Sequence, residues 1–418
     1  MDKYLIEGER TLRGQIKVQG AKNAVLPILA AAVLCDETVI ENAPDLSDVD
    51  AACNILKSLG CTVKRDGDTI SVDTRGITSF SLEDSLAREM RSSIIFLGAL
   101  TARFGAAQMC YPGGCELGSR PVDLHIEALR AMGAEIEEIH GRLTARVNHG
   151  LHGAAITLPF PSVGATENAI LAAALAEGET IIYNAAREPE IADLALFLNN
   201  CGAKICIKQN TIHIEGVKKL HGCRHRIIPD RIEAVTFLAA TAATGGEIRL
   251  TDCIPTHFQA VISVFNEMGC EIKTDKSSMW MKSPQKLNGV STIKTMPYPG
   301  FPTDAQAPVM AALTKAFGSS IFVENIFDSR YKHVMELRRL GADIETEGRM
   351  AVVKGVNALY SATLSCTDLR GGAALLIGAL SAKGESTIYG ISHIDRGYGD
   401  FEGKLNSLGG LVKRIKGE

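Results

Sequence analysis

Six apolar segments that each run into a glycine divide the chain into near-equal lengths, and any fold for it must repeat with them. They are ILKSLG at Gly60, ALRAMG at Gly133, FLNNCG at Gly202, VFNEMG at Gly269, ELRRLG at Gly341 and KLNSLG at Gly409. Subtracting neighbouring positions gives spacings of 73, 69, 67, 72 and 68 residues. Solenoid repeats are shorter, so each length is a whole supersecondary unit of helices and strands. A glycine after a helix suits the left-handed C-cap that ends it and releases the chain into a strand.

Upstream of each glycine lies a second, alanine-rich stretch, such as NAVLPILAAAVL, RSSIIFLGALTA, ENAILAAALAEG or IEAVTFLAATAATG. These are apolar nearly all round, which predicts buried helices. A short β-branched strand follows, as in TVIENA, TIIYNA and STIYGI. The first five units then carry a hairpin after the glycine, but the sixth ends at GLVKRIKGE with one strand only. The amino-terminal YLIEGERTLRGQIKVQG reads as a spare hairpin that pairs with the last unit, so the two termini share a domain. Single cores stop growing near about 250–300 residues, so three units plus three are expected. The expected domains are residues 20–229, and 1–19 with 230–418, the return crossing falling near Arg226 to Pro229.

At 46% hydrophobic, 22% charged and a formal net charge of −4, the chain has no general attraction for nucleic acid or anionic lipid. Its longest apolar runs are too short to span a bilayer as a helix and no signal peptide opens it, which reads as a cytoplasmic protein. The 11 cysteines are odd in number, scattered through apolar segments and without a Cys-x-x-Cys pair, which suggests neither a disulfide framework nor a zinc ribbon. His221, Cys223 and His225 in HGCRH have no evident fourth ligand, so no metal is expected there. Neither a Walker A sequence nor a GxGxxG after a strand occurs, and no cofactor is expected.

The chemistry concentrates at helix starts. In YPGGCELGSR, Cys115 stands among glycines that leave its sulfur unshielded, and Arg120 sets a cation at the entrance of the next helix. That setting favours a thiolate able to move a proton or attack. Lys22 and Asn23, Arg91, Arg231 and Glu233, Asp304 and Arg370 stand at the starts of the alanine-rich helices, with Arg330 and Arg396 near the second helices of their units. An acidic protein that gathers cations at helix starts is built for a small anion carrying phosphate and carboxylate. Asp304, in PGFPTDAQAP, is the carboxylate among them, with the alternative role of helix N-cap.

The segments GAKNAVLPI, MRSSI, PGGCELGSRPVDLH, SVGATENA, PDRIEA, PTDAQAP, SRYKHV, DLRGGAA and HIDRGY span the whole chain. Through them it resembles the UDP-N-acetylglucosamine 1-carboxyvinyltransferase family, whose fold is two inside-out α/β domains of three repeats each. The resemblance implies transfer of the enolpyruvyl group of phosphoenolpyruvate to the 3′-hydroxyl of UDP-N-acetylglucosamine, with release of phosphate, at the start of peptidoglycan precursor synthesis. It implies Cys115 as the group that protonates or bonds to the enolpyruvyl carbon, Asp304 as the base, and Lys22, Arg120 and Arg396 as holders of phosphoenolpyruvate. Asn23 would meet the sugar. Arg91, Ile326, Arg330 and Arg370 would belong to the substrate cleft, and Arg120, Pro121, Val122, Asp123 and Leu124 with Ser162, Val163 and Gly164 would line the uridine diphosphate site. Some members carry a basic residue where this chain has Phe160. A 5-enolpyruvylshikimate 3-phosphate synthase and a catalytically silent nucleotide-sugar-binding paralogue are the alternatives. The first lacks the thiol loop, and the second need not keep Cys115, Lys22, Asp304 and Arg396 together.

Overall fold

A computed structural model of the protein describes residues 2–113 and 122–417. All six repeat glycines have positive φ, between 92° and 101°. The amide that follows each one reaches back to the last helical turn: Cys61 to Leu56, Ala134 to Leu129, Ala203 to Leu198, Cys270 to Phe265, Ala342 to Leu337 and Gly410 to Leu405, at 2.9–3.2 Å. One Schellman cap therefore ends the second helix of every unit and turns the chain into its next strand.

The alanine-rich stretches form the helices Lys22–Ala32, Phe96–Phe104, Val163–Ala173, Arg231–Thr244, Thr303–Leu313 and Leu369–Ser381. From Ala24, Ala165, Ile232, Ala305 and Arg370 onward, five of them are buried on every side for most of their length, as helices without a polar face must be. The second departs from expectation at its start: Arg91–Ile95 is a 3₁₀ turn, and the α-helix begins only at Phe96.

The third unit sets the sheet pattern. Ala155–Thr157 runs parallel to Glu179–Tyr183, which pairs antiparallel with Thr211–Glu215, and that strand with Lys204–Lys208. The fifth unit repeats it with Thr292–Lys294, Ser319–Val323, Met350–Lys354 and Asp343–Glu347. Three units complete the same sheet with strands from elsewhere in the chain. Arg224–Arg226 supplies the parallel edge beside Glu37–Glu41 in the first, and Arg13–Lys17 lies beside Glu247–Thr251 in the fourth. Lys3–Glu7 enters the sixth between Glu385–Tyr389 and Leu411–Ile415, pairing antiparallel with both. Among the described residues the second sheet has three strands, with a parallel bridge between Ser81 and Gln108.

The amino-terminal segment is therefore not a hairpin. Its strands do not pair with each other; one completes the last unit and the other the fourth. The physical reason is that each offers an alternating edge, and each sheet lacked a different strand. Ile6 and Tyr4 are fully buried, and Tyr4 Oη donates to Glu402 at 2.6 Å while accepting from Arg414 at 2.9 Å.

The described residues fall into two compact units, one of residues 20–113 with 122–228, the other of 2–19 with 229–417. Each has its own apolar core. In the second, helices Arg231–Thr244, Thr303–Leu313 and Leu369–Ser381 pack on one another. The architecture is α/β, two domains of three repeated units, with the apolar helices inside and sheets outside. No helix among the described residues is long and apolar enough to cross a membrane.

Of the HGCRH segment His221 and Arg224 are exposed, Cys223 is half-buried and only His225 is buried. His225 is 5% exposed with Nε2 3.0 Å from Asp193 Oδ1, and Cys223 lies 3.2 Å from Cys201, sulfur to sulfur.

Candidate active site

Cys115, Arg120 and Pro121 lie outside the described residues. What remains of the expected site divides between the two units, and each part is built from helix starts.

In residues 20–228, Lys22 is the first residue of its helix, where the backbone dipole is positive and a cation is disfavoured. Asp48, on the neighbouring helix Ser47–Ser58, offsets that with a 2.7 Å ion pair, both side chains being nearly buried. Lys22 is thus paired at a helix start, with half-buried Asn23 next to it. Arg91 opens the 3₁₀ turn. Val122 is buried, Leu124 half-buried and Asp123 exposed at the first turn of Asp123–Ala131. Ser162 caps Val163–Ala173 by accepting from the Ala165 amide at 3.4 Å, leaving Val163 and Gly164 on the open first turn. Phe160 is exposed just ahead of it.

The same helix carries Glu167, buried, and the adjacent Pro189–Asn200 helix carries buried Glu190. Burial first, then the charges of Glu190 and Glu188, hold the Glu167 carboxyl well above its usual range. A carboxyl raised in the fold binds its proton more tightly than in the unfolded chain. It costs nothing below the unfolded value of 4.5, and stability is lost as pH rises from there toward the folded value. Glu167→Gln is accordingly expected to melt higher than wild type at pH 8 and to converge with it near pH 4, in thermal unfolding followed across pH. A constant difference at all pH values would show that the carboxyl's proton is not involved.

In residues 229–417, Asp304 sits in the first turn of Thr303–Leu313, but the cap position is Pro302 and no side chain caps this helix. The N-cap alternative for Asp304 is thereby overturned. Its carboxylate instead receives Arg330 at 2.7 Å and Arg370 at 3.2 Å. Both arginine side chains are 3% exposed, whereas that of Asp304 is 28% exposed. The guanidinium of Arg370 also lies 5.2 Å from the ring centre of Tyr398, and that of Arg330 5.5 Å from Phe327. Among the described residues, Arg330 Nε and Arg370 Nε and Nη1 are buried without an acceptor. Asp304 is therefore a fixed, partly open carboxylate on a buried cationic bed. Half-buried Ile326 donates its amide to Glu324 at 2.8 Å, and Arg396 is half-buried after the short helix Ser392–Asp395. Arg231 and Glu233 are buried; Glu233 pairs with Lys404 and accepts from the Gln19 amide, a structural use of a residue expected at the site.

Sequence reasoning passed over His125, in PVDLH, and Asn168, in ATEN. Both stand inside quoted motifs, and a polar residue on an otherwise apolar face was the available signal. They form a buried pair, Asn168 Nδ2 to His125 Nδ1 at 2.7 Å.

A family model described as EPSP synthase (3-phosphoshikimate 1-carboxyvinyltransferase) matches residues 6–405. Among solved structures, the enolpyruvyl transferase NikO from Streptomyces tendae aligns with a TM-score of 0.90 at 23% identity, covering 100% of this chain and 99% of that one. An EPSP synthase from Acinetobacter baumannii aligns with a TM-score of 0.75 at 18% identity, covering all of both chains. These similarities establish the fold. Sequence decides more narrowly: a protein of Symbiobacterium thermophilum named UDP-N-acetylglucosamine 1-carboxyvinyltransferase 1 is 48% identical over 99% of this chain and 95% of its own. The chain belongs to the UDP-N-acetylglucosamine 1-carboxyvinyltransferase family. A second relative, UDP-N-acetylglucosamine 1-carboxyvinyltransferase 2 of Caldanaerobacter subterraneus, is 47% identical over 99% of this chain and its own full length. Within this carboxyvinyltransferase family the present chain sets Phe160, exposed, ahead of its SVG turn.

Proposed function

We propose that the protein transfers the enolpyruvyl group of phosphoenolpyruvate to the 3′-hydroxyl of UDP-N-acetylglucosamine, releasing phosphate, as the first committed step of peptidoglycan precursor synthesis in the cytoplasm. The observation that carries this is the near-full-length identity of 48% and 47% to two proteins of that name.

In this reading the residues divide by chemistry. Lys22, with Arg120 and Arg396, holds the phosphate and carboxylate of phosphoenolpyruvate as charge-assisted hydrogen bonds do. Asn23 meets the sugar, Arg91 adds charge, and residues 120–124 with Ser162, Val163 and Gly164 receive the uridine diphosphate at a helix start. Cys115 gives a proton to the methylene carbon while the sugar oxygen bonds to the adjacent carbon and its proton passes to Asp304. Loss of a methyl proton with departure of phosphate then restores the double bond. Ile326, Arg330 and Arg370 frame Asp304.

The test is phosphate release from phosphoenolpyruvate, with UDP-N-acetylglucosamine or shikimate 3-phosphate as acceptor. Release is expected with the nucleotide sugar alone, lost in Cys115→Ser and kept in Cys115→Asp, which should also resist alkylating epoxides of the fosfomycin type. Release only with shikimate 3-phosphate would replace this reading, and none with either acceptor would remove it.

A further inference from the structure

Within residues 20–228, one imidazole is held with more care than packing requires. The Gly98 amide donates to Asn168 Oδ1 at 2.7 Å, and because a backbone N–H can only donate, that end of the side-chain amide is its oxygen. Nδ2 therefore faces the Ile94 carbonyl at 2.9 Å and His125 Nδ1 at 2.7 Å, and its two hydrogens serve both. A ring nitrogen that accepts carries no proton. The proton of the neutral ring is consequently on Nε2.

That nitrogen points at the open first turn of Val163–Ala173. A methyl group on Gly164 would lie 3.2 Å from Nε2 and 2.9 Å from Cε1, so only a glycine there lets the ring edge lie this close to the helix start. The residue is 8% exposed, and among the described residues Nε2 has no partner. The Val163 and Gly164 amides, as first-turn groups, have no acceptor inside the helix. Two kinds of donor thus converge on one spot, one from the backbone and one from a buried ring.

We infer that Asn168 is a positioning residue: it fixes His125 with Nδ1 as acceptor and Nε2–H as donor, so that ring and first-turn amides together receive one phosphate of a nucleotide sugar. The assignment of the ligand rests on the function proposed above; the orientation of the ring does not. Burial, and after it the charge of Arg91, push the His125 imidazolium down to about 4, so the ring stays a neutral donor throughout the neutral range. A neutral donor is also cheaper to bury than a cation.

The experiment uses the full chain labelled with ¹⁵N-histidine, wild type and Asn168→Asp. The wild-type His125 ring is expected in the Nε2–H form with no titration between pH 6 and 8. Aspartate keeps the acceptor for the Gly98 amide but can only accept from Nδ1, so the variant ring should protonate there and titrate within that range, its value raised by the new carboxylate. UDP-N-acetylglucosamine, a diphosphate diester whose phosphates do not titrate there, should bind wild type equally at pH 6 and 8. It should bind the variant about tenfold more weakly at pH 8 than at pH 6, as the cationic donor is lost and a bare Nε2 faces the phosphate. A wild-type ring protonated on Nδ1, or variant binding as flat with pH as wild type, would overturn the inference. Failure of wild type to bind the nucleotide sugar at all would strike the proposed function, while the ring spectrum would still decide the role of Asn168.

Discussion

Asp304→Ala is expected to lose turnover by about 10²–10⁴-fold and to unfold at lower denaturant than wild type. The catalytic loss is that of a general base. The stability loss comes from what remains behind: Arg330 and Arg370, each 3% exposed, lose the carboxylate that both contact. Removing one partner of a buried pair costs about 3–5 kcal/mol, and because Asp304 itself is 28% exposed the lower end of that range applies. Asp304→Asn separates the two effects. It preserves the shape and one acceptor oxygen, so its urea midpoint should lie closer to wild type, yet an amide cannot take the hydroxyl proton and turnover should fall as far as in the alanine variant. An asparagine variant with wild-type rates of phosphate release would remove the base from Asp304 and leave it a structural anchor.

Deleting residues 2–8 should have a larger effect still, on folding. Lys3–Glu7 lies in the interior of its sheet, with a ladder on each side, and carries Tyr4 and Ile6 at 0% exposure. Truncating one buried aromatic and one buried isoleucine costs about 5–10 kcal/mol together, comparable with the whole stability of a domain. Hydrogen exchange on the truncated chain should show strands Glu385–Tyr389 and Leu411–Ile415 losing protection. The hairpin Thr62–Asp66 and Thr69–Asp73, whose sheet takes nothing from the amino terminus, should keep its own. Equal protection in both chains would mean that the sixth sheet stands without its inserted strand.

The repeat was legible because its punctuation is local. A glycine at φ near 95° with one backward hydrogen bond can be read from six residues, and the same device recurs at all six positions. The missing strand of the sixth unit was legible too, as a shortage. Where the amino-terminal strands go was only half legible, because alternation marks a strand without naming its partner, and Arg13–Lys17 pairs with a segment more than two hundred residues away. At the candidate site, residue types pointed to Lys22, Asp304, Arg330 and Arg370, but not to the geometry that ties the last three together. Asp304 also read as a cap, since aspartate suits a helix start as well as a charged site, but Pro302 takes the cap position. His125 and Asn168 escaped because a tautomer is set by three hydrogen bonds from separate segments, which no periodicity encodes.

The borrowed strands also impose an order on synthesis. The sheet at Glu37–Glu41 is closed by Arg224–Arg226, so the unit of residues 20–228 has all its strands once that segment has left the ribosome. The other unit takes in Lys3–Glu7 and needs Leu411–Ile415 beside it. Lys3–Glu7 has no partner until Glu385–Tyr389 and Leu411–Ile415 are made, and Arg13–Lys17 none until Glu247–Thr251 is, at rates of about 5–20 residues per second. Two exposed strand edges held for that long are a standing invitation to pair wrongly. The short, charged character of KYLIE and RGQIK is suited to such a wait, and the nascent chain is where a chaperone would have most to protect.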